Sequence, residues 1–312
     1  MSSLPRLSLM LALVCFVVAL LMCGGCPPRA PQEEVLPGVV PPPAEPSGPP
    51  LKIGAIFSVT GTAGAPLGTP EKETVLMLAE QINARGGIAG RPVEVLLEDD
   101  QSDNTQAASA AKKLLDQQVS VVIGPTLSGT TLAIVDTFEK AQVPLVSCAA
   151  SIKITQPVKK WVFSTAQPDV LAVERLMEYL KTKNITKIAV VYDSNPFGKS
   201  GMEVLDKHAP ENGVKIVASE SFASKDTDMT TQLTKCKQAG PEAIVCWGTN
   251  PGPAIVAKNM KTLKMGIPLL MSHGVANQSF LKLSGEAAEG VVLPAGKLLL
   301  ADALPASDPQ RS

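Results

Sequence analysis

Three hydroxyl-rich loops hold the residues best suited to chemistry in this sequence. Ser58-Val59-Thr60-Gly61-Thr62-Ala63-Gly64 follows one apolar run and Gly124-Pro125-Thr126-Leu127-Ser128-Gly129-Thr130-Thr131 follows another. Ser147-Cys148-Ala149-Ala150-Ser151 follows a third. Hydroxyls beside unpaired N–H groups at helix N-termini form a receptor for a carboxylate or another small anion, because the helix dipole favours negative charge there. Ser128 also suits a helix N-cap, and any one such loop more often caps a helix or shapes a turn. Three of them at one sheet end favour a binding site.

Covalent chemistry finds no support in the spacing. Gly61, Gly64 and Gly68 do not form G-x-G-x-x-G, and no Lys-Ser/Thr pair closes a phosphate loop. Ser128 lacks the flanking glycines of a nucleophile elbow. Of the two histidines, His208 lies beside a polar helix end and reads as solvent-facing. His273 follows a strand at its carboxyl end and is a candidate to line a cleft. Neither has partners spaced for a triad or a metal site, so the expectation is a binding protein without catalysis, metal or cofactor.

Composition narrows the classes further. A net charge of −1 and 4% aromatic residues argue against a nucleic-acid surface. Beyond Cys15, Cys23 and Cys26, only Cys148, Cys236 and Cys246 remain, with no C-x-x-C spacing, which disfavours a disulfide framework or zinc site. Cys236 and Cys246 could pair in an oxidising compartment, but burial as small apolar residues is the favoured reading.

The elements that must position these loops alternate between strand and helix. Strands are expected at 51–57, 92–97, 119–123 and 144–148, and helices at 68–84, 104–117 and 128–141. Val75, Leu78, Ala79 and Ile82 mark the apolar face of the first helix, and alanines mark that of the second. After Thr165 a second series begins. Its helices are expected at 170–181, 198–211, 229–238 and 253–263, and its strands at 187–192, 214–219, 243–247, 268–271 and 290–294. Near-continuous apolar strands alternating with helices predict α/β architecture with parallel sheets covered on both faces. Two such series predict two lobes with a cleft between them, and ligands of open parallel sheets bind beyond the carboxyl ends of the strands.

Ahead of the folded part, Arg6, an apolar run from Leu7 to Met22, and Gly24-Gly25 before Cys26 have the build of a secretory signal peptide. Residues 1–26 read as a lipoprotein signal peptide with Cys26 as the acylated membrane anchor. The alternative is ordinary cleavage releasing a soluble secreted protein. Residues 27–50 are proline-rich and read as an extended tether.

The landmarks of the folded part resemble the branched-chain amino-acid-type periplasmic binding proteins of ABC transporters. Leu51-Lys52-Ile53-Gly54 with Thr60-Gly61, Ile82-Asn83-Ala84-Arg85-Gly86-Gly87-Ile88 and Glu98-Asp99-Asp100-Gln101 carry the likeness. Val122-Ile123-Gly124-Pro125, Tyr192-Asp193 with Pro196-Phe197-Gly198, and Gly285-Glu286-Ala287-Ala288-Glu289-Gly290 continue it. The resemblance implies a two-lobed type I Venus-flytrap fold, lobe 1 over 51–165 and lobe 2 over 166–293, closing on a small solute for delivery to permease subunits. Hinges are expected near Ala166 to Pro168 and Leu293 to Lys297.

Carried over by residue, Ser128 and Ser151 resemble the hydroxyls that hold a ligand carboxylate, with Ala149 as a backbone partner. Phe197 resembles an aromatic lid, and Thr249 and Asn250 a loop that closes on the ligand. Ser58 and Thr60 join the set from the first loop. Where amino-acid-binding members have an acidic residue, this sequence has Ser272-His273-Gly274. An imidazole is no substitute for a carboxylate opposite an ammonium. The solute is then a carboxylate without an amine, or Asp193 or another acid receives the ammonium. The resemblance also implies further first-lobe elements beyond 294–312, the start of a return crossing, so the final first-lobe segment is expected to be absent. A ligand-sensing receptor of the same fold and a non-functional fragment remain alternatives.

Overall fold

The computed structural model describes residues 45–311. The expected signal peptide, its Cys26 anchor and the tether through residue 44 lie outside the described residues. The end of the tether is fastened rather than free. The N–H groups of Ser47 and Gly48 donate to Gly90 O, and the Arg91 guanidinium donates to the carbonyls of Pro49 and Pro50.

The first sheet contains β1 (Leu51–Phe57), β2 (Val93–Asp99), β3 (Val121–Ile123), β4 (Leu145–Ser147) and β5 (Val162–Ser164), ordered β2-β1-β3-β4-β5 and parallel throughout. The second contains β6 (Lys187–Asp193), β7 (Lys215–Phe222), β8 (Ala243–Trp247) and β9 (Leu269–Met271), ordered β7-β6-β8-β9 and again parallel. In both sheets the order reverses beside the first strand, which opens a crevice at the carboxyl ends of β1/β3 and of β6/β8.

Helices α1 (Ala65–Ala84), α2 (Asn104–Asp116) and α3 (Ser128–Ala141) connect the first sheet. Helix α2 buries Ala107, Ala110, Ala111 and Leu114, whose three- and four-residue spacing makes one apolar stripe. Helices α4 (Asp169–Thr182), α5 (Pro196–Glu211), α6 (Thr230–Gln238) and α7 (Gly252–Thr262) flank the second sheet, and α8 (Gln278–Ser284) follows β9. Strand β8 is buried at every residue, packed on one face around Trp247 and on the other around Phe222 and Phe280.

Several expectations need correction. Leu78 does not belong to the buried face of α1: it is 46% exposed, and only Gly68 and Ala79 of this helix are buried. Gly68 explains the choice of face. A Cβ there would collide with the backbone of Ser58, so the glycine lets α1 lie directly on that turn. The strand expected at 290–294 shrinks to a single bridge, in which Val292 exchanges backbone hydrogen bonds with Leu269 and Met271. Strand β5 and helix α8 are absent from the sequence pattern, because both are too short to show a period. Residues 297–303 form a 3-10 turn that exposes Leu298, Leu299 and Leu300.

The two connecting stretches approach each other at Gln167 and Gly296. A Cβ at Gly296 would lie 3.6 Å from Gln167 Nε2. Asp169 N–H donates to Ala150 O, and the Lys153 ammonium pairs with Glu203 at 2.5 Å, so both contacts join the two sheet layers.

Candidate functional site

Helices α3 and α5 meet end to end across the crevice. A Cβ at Gly129, in the first turn of α3, would lie 3.6 Å from Pro196 Cδ, in the first turn of α5. Two partial positive charges therefore face one space. Asn195 caps α5 by accepting the Gly198 N–H at 2.9 Å. Helix α3 starts from Leu127, which supplies no side-chain cap. Its first N–H groups have no intrahelical partner and remain available to a ligand.

The space is a cavity of about 530 Å³, in the range of small-molecule sites. One wall comprises residues 61–63, Glu71, Gln101 to Asn104, Thr126 to Thr130 and Cys148 to Ala150; the other includes Asn195 to Phe197, Ser224, Lys225, Thr249 and His273.

Five of the residues singled out from sequence are brought together here: Ser128, Ala149, Phe197, Thr249 and His273. The Ser128 oxygen accepts the Ser151 N–H at 3.3 Å, which leaves its own proton free to donate. Ala149 contributes mainly surface, since its N–H donates to Ser147 Oγ and its carbonyl accepts from Ser164 Oγ. Phe197 lies edge-on to His273 at 5.5 Å, and Trp247 backs both rings at 6.2 and 6.0 Å. Gly274 makes this possible, because a Cβ there would stand 2.8 Å from the Phe197 ring. Burial lowers the His273 pKa to about 4, so the imidazole is neutral at physiological pH.

The other four do not line the cavity. Ser58 Oγ donates to Asp100 Oδ1 at 2.6 Å, inside the protein. Thr60 Oγ1 donates to Asp99 Oδ2 at 2.6 Å, and two further N–H groups of that turn also bind Asp99. Ser151 Oγ accepts the Lys153 N–H and caps a short 3-10 turn. Asn250 Nδ2 donates to Asn277 Oδ1, which ties the loop after β8 to the start of α8. Asp193 is likewise occupied: it accepts the Asn195 N–H and the Ser224 hydroxyl.

Glu71 is the residue that sequence reasoning missed. It sits on α1 among charged neighbours, Lys72 and Glu73, and resembles any solvated helix face. In the fold it lines the cavity, accepting the Thr126 hydroxyl at 2.6 Å through Oε2. Burial raises its pKa to about 7, the Thr126 bond opposes the shift, and the Asp100 charge adds to it. Among the described residues, no group of three or more His, Cys, Asp or Glu could hold a metal ion.

The sequence model of the periplasmic binding protein family matches residues 50–307. The chain belongs to that family. The leucine-, isoleucine-, valine-, threonine- and alanine-binding protein of Pseudomonas aeruginosa is 28% identical to this family member over 247 residues, which is 78% of this chain and 65% of the relative. This chain thus spans slightly less than two thirds of that protein's length. An extracellular ligand-binding receptor from Rhodopseudomonas palustris HaA2 superposes with a TM-score of 0.77 at 29% identity, covering 84% of this chain and 72% of the other. The branched-chain amino acid transporter substrate binding protein LivJ from Streptococcus pneumoniae, solved with isoleucine, gives 0.69 at 29% identity, covering 77% of this binding protein and 69% of that chain. Periplasmic binding proteins of this kind share the two-lobed type I architecture described above.

Proposed function

We propose that this protein is the solute-binding component of an ABC importer, capturing a small carboxylate-bearing solute by lobe closure without covalent chemistry. The observation that carries this reading is the uncapped N-terminus of α3, with Ser128, facing the N-terminus of α5 across the cavity. A carboxylate entering this space exchanges its hydration for helix N–H groups and the Ser128 hydroxyl, which offsets the cost of burial. Phe197, Thr249 and His273 supply the opposing wall. The stretches 166–168 and 293–297 are the proposed hinge, so that closure binds the solute between two rigid layers. The protein named for five amino acids and the neighbour solved with isoleucine support a solute of that size and charge. Presentation to permease subunits outside the cytoplasm, and anchoring through Cys26, belong to the same proposal.

Isothermal titration of the whole chain with small aliphatic and aromatic carboxylates tests it. At least one should bind, and Ser128→Ala should weaken that binding about 10- to 100-fold, the loss expected for a hydrogen bond to a charged group. No binding by any of them, or an unchanged affinity in Ser128→Ala, would remove the support.

A further inference from the structure

We propose that the Lys153–Glu203 ion pair is a latch that holds the two lobes closed and lengthens the residence of the bound solute. The inference rests on the cavity between α3 and α5 being the solute site. It assigns to two residues outside that cavity the control of how long it stays shut.

Lys153 stands on the 3-10 turn 152–154 that follows β4, and Glu203 stands on α5. The Lys153 Nζ lies 2.5 Å from Glu203 Oε1. Among the described residues, every other ion pair joins partners within one sheet layer or within the stretch 297–308. Lys153 and Glu203 form the one that crosses from layer to layer.

Each partner is tied to one wall of the cavity. On the first side, the Lys153 N–H donates to Ser151 Oγ at 3.4 Å and the Ser151 N–H donates to Ser128 Oγ at 3.3 Å. When the Ser128 hydroxyl donates to a solute carboxylate, its oxygen becomes a better acceptor, because hydrogen bonds in a chain polarise one another. Occupancy therefore firms the turn that carries Lys153. Ala150 and Ile152 of the same segment pack against the core around Trp247, which guides Lys153 towards α5. On the second side, Glu203 follows Phe197 by six residues of α5, about 9 Å along the helix axis. The ion pair thus bridges the same two walls that the solute bridges.

Both side chains are about half exposed. An exposed ion pair changes an equilibrium by a factor of about 1.5 to 5, and its flexible stems let it break as the lobes part. Such a contact slows release without preventing opening.

The test is a charge-reversal cycle on the whole chain, with leucine, isoleucine, valine and isovalerate as probes. Lys153→Glu and Glu203→Lys each set like charges against each other. At about 0.05 M salt, each should weaken the tightest-binding probe about three- to tenfold, chiefly through faster dissociation in stopped-flow measurements. The doubly reversed chain restores an opposite pair and should return to within about twofold of the wild type. Lys235→Glu, which breaks an ion pair inside the second lobe, should also stay within about twofold. The losses should shrink at about 1 M salt, where exposed charges are screened. Unchanged affinity in both single reversals, or a double reversal no better than the singles, would overturn the latch and leave the cavity reading intact. If no probe binds the wild type, the cavity reading falls and the latch falls with it.

Discussion

The Ser58 hydroxyl donates to Asp100 Oδ1 at 2.6 Å, and both side chains are sealed from solvent. This pair joins the turn after β1 to the turn after β2, which is a structural task. The other Asp100 oxygen has no hydrogen-bond partner among the described residues, and burial raises the carboxyl's pKa despite the Ser58 bond. Ser58→Ala would deprive this buried acid of its main donor. We expect a loss of about 1–3 kcal/mol in urea unfolding, with affinity for the solute changed less than about threefold.

Ser128 should show the opposite balance. Ser128 lines the cavity, and its hydroxyl oxygen accepts one N–H from Ser151, which leaves its proton free to donate. Thermal unfolding of Ser128→Ala without solute should fall by only about 2–4 °C, the equivalent of roughly one hydrogen bond in a protein of this size. The stabilisation by saturating solute should fall by about 1.4–2.7 kcal/mol, because it varies with the logarithm of an affinity that drops 10- to 100-fold.

Asp169 should make stability depend on pH. It is fully buried at the start of α4, facing the Ser200 hydroxyl and the Trp247 indole N–H without well-formed hydrogen bonds. Burial raises its pKa from 3.8 to about 7. The folded state therefore binds the proton more tightly than the unfolded chain does. Its stabilising contribution is complete below about pH 4 and is lost as pH rises through about 7. Asp169→Asn removes that loss. Its Tm should exceed the wild-type value by at least about 4 °C at pH 8 and by less than about 1 °C at pH 4.

Gly201 in α5 leaves no room for a side chain. A Cβ there would overlap the Trp247 indole, which is fully buried behind the cavity. Gly201→Ala should cost about 1–3 kcal/mol by overpacking, more than the gain from helix propensity. Chemical denaturation measures it, and Trp247 fluorescence should report the displaced ring.

Much of the architecture was legible from local pattern. The β1 limits, the 104, 128 and 187 starts and the β8 limits match the expected ones, because apolar runs and helical stripes repeat over a few residues. The short β5 and α8 escaped, and Leu78 looked like core because α1 is apolar on more than one side. Ser128, Ala149, Phe197, Thr249 and His273 could be gathered from their places after strands. Ser58, Thr60 and Ser151 have the same residue types, but spend their hydroxyls on Asp99, Asp100 and a turn.

Sequence by itself determined the alternation of strand and helix, the two series and the hydroxyls beside α3, since each depends on neighbours along the chain. Only the tertiary structure decided which hydroxyls face the cavity and that Glu71 joins them. The direction of a helix side chain depends on how the helix rolls against its sheet, and Gly68 sets that for α1 by admitting the Ser58 backbone at closest approach. A carboxylate on a charged helix turn becomes a site residue when that packing turns it inward and Thr126, far along the chain, holds it there.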